Sequence, residues 1–298
     1  MQRALRSDRP LACDASEWLV SEASGRRYAR LTRLHRYPLD TAVVMLFPKG
    51  TPPAEVARVE RCTRLLAEAG VPVPAVHDSD HRGAWILQED LGDRALAHAV
   101  EAGDTVEGAY HSALAILERV QALRALDTSP VPALDGVRMR RELAQFVRSA
   151  LDLDGPPGPG LTADLERLLT RCTQAQTALC HRDYHARNLL LQGARVRVID
   201  HQDALVGPAV YDRVSLAYDP YVELPDTFRD ALAGDSPDVA PVAVQRLVKA
   251  IGTYATKGGG WRRWIAPAAR QARRLIARGA LDLHVLDVAL AGLALRRE

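Results

Sequence analysis

Lysine is nearly missing from this chain of 298 residues: Lys49, Lys249 and Lys257 are the only three, and the other 36 of its 39 basic residues are arginine. Together with the abundant alanine this is a composition bias of the whole chain, and at a net charge of +2 it does not argue for a nucleic-acid partner. Cysteine is scarce as well. Cys13, Cys62, Cys172 and Cys180 are dispersed without a CxxC pair, so no metal is assigned to them and they read as reduced core thiols. No segment approaches the roughly 18 uninterrupted apolar residues of a membrane span. The opening MQRALRSDRP is charged and lacks an apolar run, so neither a membrane span nor a secretory leader is expected, and a cytoplasmic location is the default.

What is present is a chain 47% hydrophobic, long enough for about two domains with a substantial core. Its most informative stretch is Cys180 to Asp203, CHRDYHARNLLLQGARVRVIDHQD. Within it His181-Arg182-Asp183 is followed by Asn188, and a short apolar strand then ends on Asp200. Moving a phosphoryl group from a nucleotide to an alcohol calls for a carboxylate that orients the attacking hydroxyl and accepts its proton late. Asp183 suits that role. The nucleotide's Mg2+ takes oxygen ligands from one or two protein groups and completes its shell with phosphate and water, and Asn188 and Asp200 are the candidate donors. Between them, Leu189 to Leu191, a Gln192-Gly193 turn and the alternating Val196 to Ile199 read as a hairpin. His185 and Arg187 sit inside the loop and are the next candidates to face the transferring phosphate. Singly these residues are common loop formers; together they match the kinase catalytic-loop template.

Upstream, Trp18–Ser21, Tyr28–Leu34 and Thr41–Phe47 read as strands, with a turn at Ser24-Gly25. Pro52-Pro53 opens a helix to about Ala69, with Val56, Val59, Leu65 and Leu66 on its apolar face and Gly70 as its stop. Ala84–Leu87 is a buried strand leading into Gln88-Glu89-Asp90-Leu91-Gly92, where extended backbone at Glu89 and Leu91 can meet an adenine edge. Beyond it the chain turns helical, over Val106–Leu126, Met139–Leu151, Leu161–Thr177 and from Ala240 to Leu295. The Gly/Pro-rich 152–160 must be a surface loop, either a connector or a lip near the substrate. The expected fold class is α+β, a two-lobed protein-kinase-like fold: an N-terminal nucleotide-binding lobe, residues 1–91, with a small antiparallel sheet and one helix, and a mainly helical lobe, 92–298.

HRDYHARNLL followed by VIDHQDALVGPAVYDRVSLAYD resembles the aminoglycoside-phosphotransferase-like kinases, and among them most resembles the anomeric N-acetylmuramate/N-acetylglucosamine kinases of bacterial cell-wall recycling. EASGRRYARL, LLAEAGVPVPAVHDSD, ILQEDLGD and VQRLVKAIGTYA extend the likeness over nearly the whole chain. The resemblance implies an ATP- and Mg2+-dependent transfer to the anomeric hydroxyl of an amino sugar, with Asp183 as base, Asn188 and Asp200 on the metal, and His181 and Asp212 as support for the loop. Gln202-Asp203-Ala204 and the Gly207-Pro208 to Tyr211-Asp212 run point to the amino-sugar group, with Asp203 a candidate substrate residue.

Three features depart from the usual pattern. The third strand, Ala42-Val43-Val44-Met45-Leu46-Phe47, has no lysine for the α and β phosphates. Arg26, Arg27, Arg30 or Lys49 would have to supply that charge, an arginine fork being well matched to phosphate. The glycine loop is reduced to Gly25. Position after Asp200, where relatives carry an aromatic residue, is His201. For the acceptor, residues 240–298 hold eleven Lys and Arg against three Asp and Glu, a balance that favours a neutral or anionic substrate over a polycationic aminoglycoside. Tyr218-Asp219-Pro220-Tyr221 offers Asp219 and Tyr221 as a wall for a pyranose. The alternatives are an aminoglycoside or other small-alcohol phosphotransferase, and a non-catalytic nucleotide-binding protein.

Overall fold

The structure is a computed structural model that describes residues 11–19, 25–123 and 132–295. Val20–Ser24 and the end of the helix expected to reach Leu126 lie outside the described residues. The chain divides into two compact units. The first comprises Met1–Arg94 and Leu190–Gln202; the second comprises Ala95–Leu189 and Asp203–Glu298. The boundary thus falls a few residues beyond 91, and the first unit also contains a hairpin from far downstream.

In the first unit, strands β1 (Cys13–Leu19), β2 (Arg27–Leu34), β3 (Thr41–Leu46), β4 (Val76–Asp80) and β5 (Trp85–Gln88) form an antiparallel sheet ordered β1-β2-β3-β5-β4. Both faces of its centre are buried, which is why β3 reads as an unbroken apolar run. Ala29, Leu31, Ala42, Val44, Trp85 and Leu87 fill one side. Met45, Phe47 and Ile86 fill the other, with Val56 and Val59 of helix α1 (Pro53–Glu68). The buried stripe of α1 runs Val56, Val59, Cys62, Thr63, Leu66, so the half-exposed Leu65 is not on it. Gly70 closes the helix at φ +75°, a conformation open to glycine at no steric cost. The first strand begins earlier than the expected Trp18, and β4 was not expected at all. Both are edge strands with solvated outer positions, where the alternation that signals a strand is weak.

The downstream hairpin joins this unit through hydrogen bonds. Its strands are β7 (Leu189–Gln192) and β8 (Arg195–Val198), turning at Gly193. Val198 N–H donates to Pro72 O at 3.0 Å and Leu191 N–H to Arg94 O at 2.8 Å. Arg197 donates to Pro72 O, Val73 O and Gln192, and forks onto both oxygens of Glu89 at 3.0 and 2.6 Å. Arg197→Ala removes all of these at a half-buried site. It is expected to destabilise the protein by about 2 kcal/mol, read by urea unfolding; an unchanged midpoint would show that the hairpin is held without it.

The second unit contains helices α2 (Leu96–Glu101), α3 (Glu107–Ala122), α4 (Gly136–Ala150), α5 (Pro159–Gln174), α6 (Tyr211–Ala217), α7 (Asp226–Ala233), α8 (Val239–Lys257), α9 (Ile265–Arg278) and α10 (His284–Ala294). Strand β6 (Thr177–Cys180) pairs antiparallel with β9 (Leu205–Pro208). Helix α8 is the hub: most of its residues are buried, and α4, α5, α6 and α9 all pack on it. Its closest approach is at Gly252, where a Cβ would stand 2.8 Å from the Phe146 backbone of α4; no side chain fits there. Gly160, expected in the Gly/Pro loop, lies in the first turn of α5, where it abuts Val285 of α10. Among the described residues no helix is long and apolar enough to cross a membrane.

Candidate active site

Strand β6 delivers the chain into His181-Arg182-Asp183, and two buried carboxylates clamp the loop that follows. Asp212, at the start of α6 and fully buried, accepts the backbone N–H groups of His181 at 2.5 Å and Arg182 at 2.9 Å. Those bonds hold Arg182 in the left-handed region at φ +77°, an unfavourable conformation for a residue with a side chain that must be over-determined by its surroundings. Burial raises the Asp212 carboxyl above its ordinary pKa, against the opposing pull of His181 and of these N–H groups. Asp219, also fully buried, accepts from Ala186 N–H at 2.9 Å and Tyr221 N–H at 2.8 Å. His181 is buried with its ring edge-on to Tyr184, 5.5 Å between centroids. The Tyr184 hydroxyl donates to Ala113 O of α3 at 2.8 Å.

Asp183 is therefore presented on a rigid loop. Its side chain is 37% exposed, and among the described residues no group donates a hydrogen bond to its carboxylate. Lys249 Nζ lies 3.9 Å from Oδ1. Although desolvation opposes it, the charges of Lys249, Arg246 and Arg182 hold the Asp183 carboxyl well below the usual range, so it is ionised at any working pH. An ionised, accessible carboxylate can accept a proton and orient a hydroxyl. Lys249 and Arg246 were not singled out from the sequence. The signal was there: two basic residues one turn apart in the otherwise apolar VAPVAVQRLVKAIGTYA, on a helix whose buried face they share.

His185 is 8% exposed, and burial lowers its pKa to about 3. Its ring is therefore neutral and sits edge-on to Tyr221 at 5.1 Å. The Arg187 guanidinium carbon lies over the Tyr221 ring, 3.9 Å from its centre, with the ring centres of Trp264 at 5.3 Å and Trp261 at 5.9 Å. Stacking of this kind orients the guanidinium edge without using its in-plane donors. Tyr221 is thus covered by Arg187 and His185 and is only 8% exposed. The expectation that Asp219 and Tyr221 form a sugar wall is corrected: the carboxylate is taken up by backbone amides and the ring by packing. Asp203 is exposed. Asn188 Nδ2 donates to Asp183 O at 2.9 Å, which leaves its Oδ1 as the atom suited to a hard cation.

In the first unit, Asp200 adopts φ +61° and accepts from Gln202 Nε2 on Oδ1. The residues after it are fastened to α1. His201 Nε2 meets Thr63 Oγ1 at 2.8 Å, and since that hydroxyl donates to Val59 O at 3.0 Å, the ring nitrogen is the donor. Arg58 donates to Gln202 O at 3.1 Å. Histidine here is a packed, hydrogen-bonded anchor. Arg30 forks onto Asp90 and Asp93 at 2.7–3.0 Å and is committed to that network. Arg27 is exposed over the Trp18 ring at 3.8 Å, whereas Arg26 is buried with its guanidinium 5.9 Å from the Phe47 ring centre. Glu89 N–H donates to Ala75 O at 2.8 Å, so it is not available to an adenine edge; Leu91 is buried. Among the described residues there is no cluster of three or more His, Cys, Asp or Glu able to hold a metal. A cation must complete its shell with oxygens from elsewhere.

Comparison with known proteins shows the family and the fold. A model of the phosphotransferase enzyme family matches residues 19–243. An N-acetylmuramate/N-acetylglucosamine kinase of Pseudomonas putida is 33% identical over 72% of this chain and 62% of its own length. A kinase of the same name from Pseudomonas aeruginosa is 32% identical over 69% and 60%. The chain thus spans somewhat under two thirds of these curated relatives. A thermostable mutant of the aminoglycoside phosphotransferase APH(4)-Ia, solved with AMP-PNP and hygromycin B, superposes with a TM-score of 0.63 at 14% identity, over 94% of this chain and 97% of that one. That likeness shows the fold, as expected: α+β, a small antiparallel sheet and many helices.

Proposed function

The chain belongs to the phosphotransferase enzyme family, and from that premise we propose that it is a kinase transferring the γ-phosphoryl group of ATP to the anomeric hydroxyl of N-acetylmuramate, N-acetylglucosamine or a closely related amino sugar. The observation that carries this reading is Asp183, an accessible ionised carboxylate with no hydrogen-bonding duty among the described residues, on a loop clamped by Asp212 and Asp219. The names of the relatives supply the sugar.

Asp183 orients the C1 hydroxyl and accepts its proton as the C1 oxygen bonds to the γ-phosphorus and the bond from phosphorus to the ADP oxygen breaks. The proton then passes to solvent. Asn188 and Asp200 are the proposed Mg2+ ligands, both offering hard oxygen donors, and the ion supplies neutralisation of phosphate charge when bound. Arg26 and Arg27 are the proposed phosphate contacts in place of the third-strand lysine, and the Glu89 carbonyl and Leu91 N–H are the proposed adenine contacts. Arg187, packed against its aromatic neighbours, is proposed to place its positive charge near the transferring group.

Incubation with ATP and a panel of reducing sugars, followed by phosphorus NMR, tests the assignment. The expected product is a sugar 1-phosphate. Phosphate on C6, or on an aminoglycoside hydroxyl, would sink it.

A further inference from the structure

Arg246 and Lys249 stand one turn apart on α8, and their surroundings are short of negative charge. Arg246 is 6% exposed; its Nε donates to Ser215 Oγ at 3.2 Å, and no carboxylate among the described residues lies within ion-pairing distance of it. A guanidinium buried without a counter-ion is costly to keep. Lys249 has only Asp183, at the 3.9 Å limit of an ion pair. The other carboxylates nearby are engaged. Glu142 accepts from Arg182 Nη2 at 3.2 Å and from Gln245 Nε2 at 3.0 Å, while Asp212 and Asp219 are turned to backbone N–H groups. The Tyr211 hydroxyl is buried without a hydrogen-bond partner among the described residues, and burial raises its pKa so that it stays a donor. Lys249 therefore stands beside Asp183, the charge of Arg246 also acts on that carboxylate, and Asp183 is the one carboxylate within ion-pairing distance of either cation among the described residues.

We propose that Lys249, with Arg246 behind it, forms a recess for a carboxylate carried by the sugar, seated beside Asp183, and that this recess makes an acidic amino sugar the preferred acceptor. The proposal rests on the kinase reading above and deepens it. The substituent on C3 of N-acetylmuramate is such a carboxylate; N-acetylglucosamine has none. Charge-assisted hydrogen bonds to it would satisfy donors that a neutral sugar leaves unanswered. The same cations would otherwise serve the transferring phosphoryl group, a role that is blind to the sugar's charge.

The test compares N-acetylmuramate with its methyl ester, which keeps the bulk and removes the charge. The wild type is expected to use the acid with a kcat/KM at least about tenfold above the ester. Lys249→Met should narrow that gap to within about threefold, and Lys249→Arg should restore it. Calorimetry of both sugars without ATP should show the same gap in Kd, independent of turnover. Equal use and equal binding of acid and ester by the wild type would overturn the recess, and so would a parallel loss on both sugars in Lys249→Met. The wild-type comparison stands even where the variant fails to fold. A calorimetric gap with no sugar 1-phosphate formed would support the recess and overturn the kinase reading instead.

Discussion

Asp183→Asn is expected to lower kcat by about 10^3-fold while leaving nucleotide binding intact, because general-base assistance is the contribution removed. The amide keeps the shape of the carboxylate but cannot take the proton. Asp183 receives no hydrogen bond from the described residues, and its side chain is 37% exposed. Its replacement should therefore move the melting temperature by no more than about 3 °C. Turnover and calorimetric titration with an ATP analogue, read side by side, separate an enzyme from a nucleotide-binding protein without activity. Retention of more than about a tenth of the wild-type rate would remove Asp183 from the role of base.

Asp219→Ala is expected to act on the fold first and on catalysis through it. The substitution leaves the buried N–H groups of Ala186 and Tyr221 without their acceptor, a cost of about 2–4 kcal/mol. For a unit of this size that corresponds to a melting temperature lower by roughly 5–10 °C. Since Ala186 opens the short turn that ends on Asn188, the loop would loosen and kcat would fall. A sugar-contact residue would behave otherwise, raising the KM for the sugar at constant melting temperature. That outcome would restore Asp219 to the sugar wall. Asp203→Ala is the comparison: the residue is exposed, and its loss should leave the melting temperature unchanged.

Much of the fold could be read from local pattern. The apolar run of β3, the proline start and glycine stop of α1, and the hairpin after Asn188 each declare themselves within a few residues. The strands that escaped notice, β4 and most of β1, are polar edge strands whose identity depends on a neighbour to pair with. The attachment of the hairpin to the first unit depends on Arg197 meeting Glu89 and the Pro72–Val73 carbonyls. That is a contact across more than a hundred residues, and nothing near Arg197 in the chain announces it.

The same division runs through the site. His181-Arg182-Asp183, Asn188 and Asp200 are legible in sequence because they fall within one short stretch, where spacing and chemistry are written in order. Lys249 and Arg246 were visible only as members of a basic tail. Helix α8 is what carries them to Asp183, and their charge matters because burial removes the water that would screen it. Asp219 and Tyr221 illustrate the converse: a carboxylate beside an aromatic ring suits a pyranose in composition, yet packing against the loop commits both to support. Sequence alone determined the chemistry, since residue type and local spacing decide which groups can accept a proton or bind a cation. Tertiary structure decided which charges face that chemistry and which are taken up in holding it, because burial and partnership are set by residues far apart in the chain.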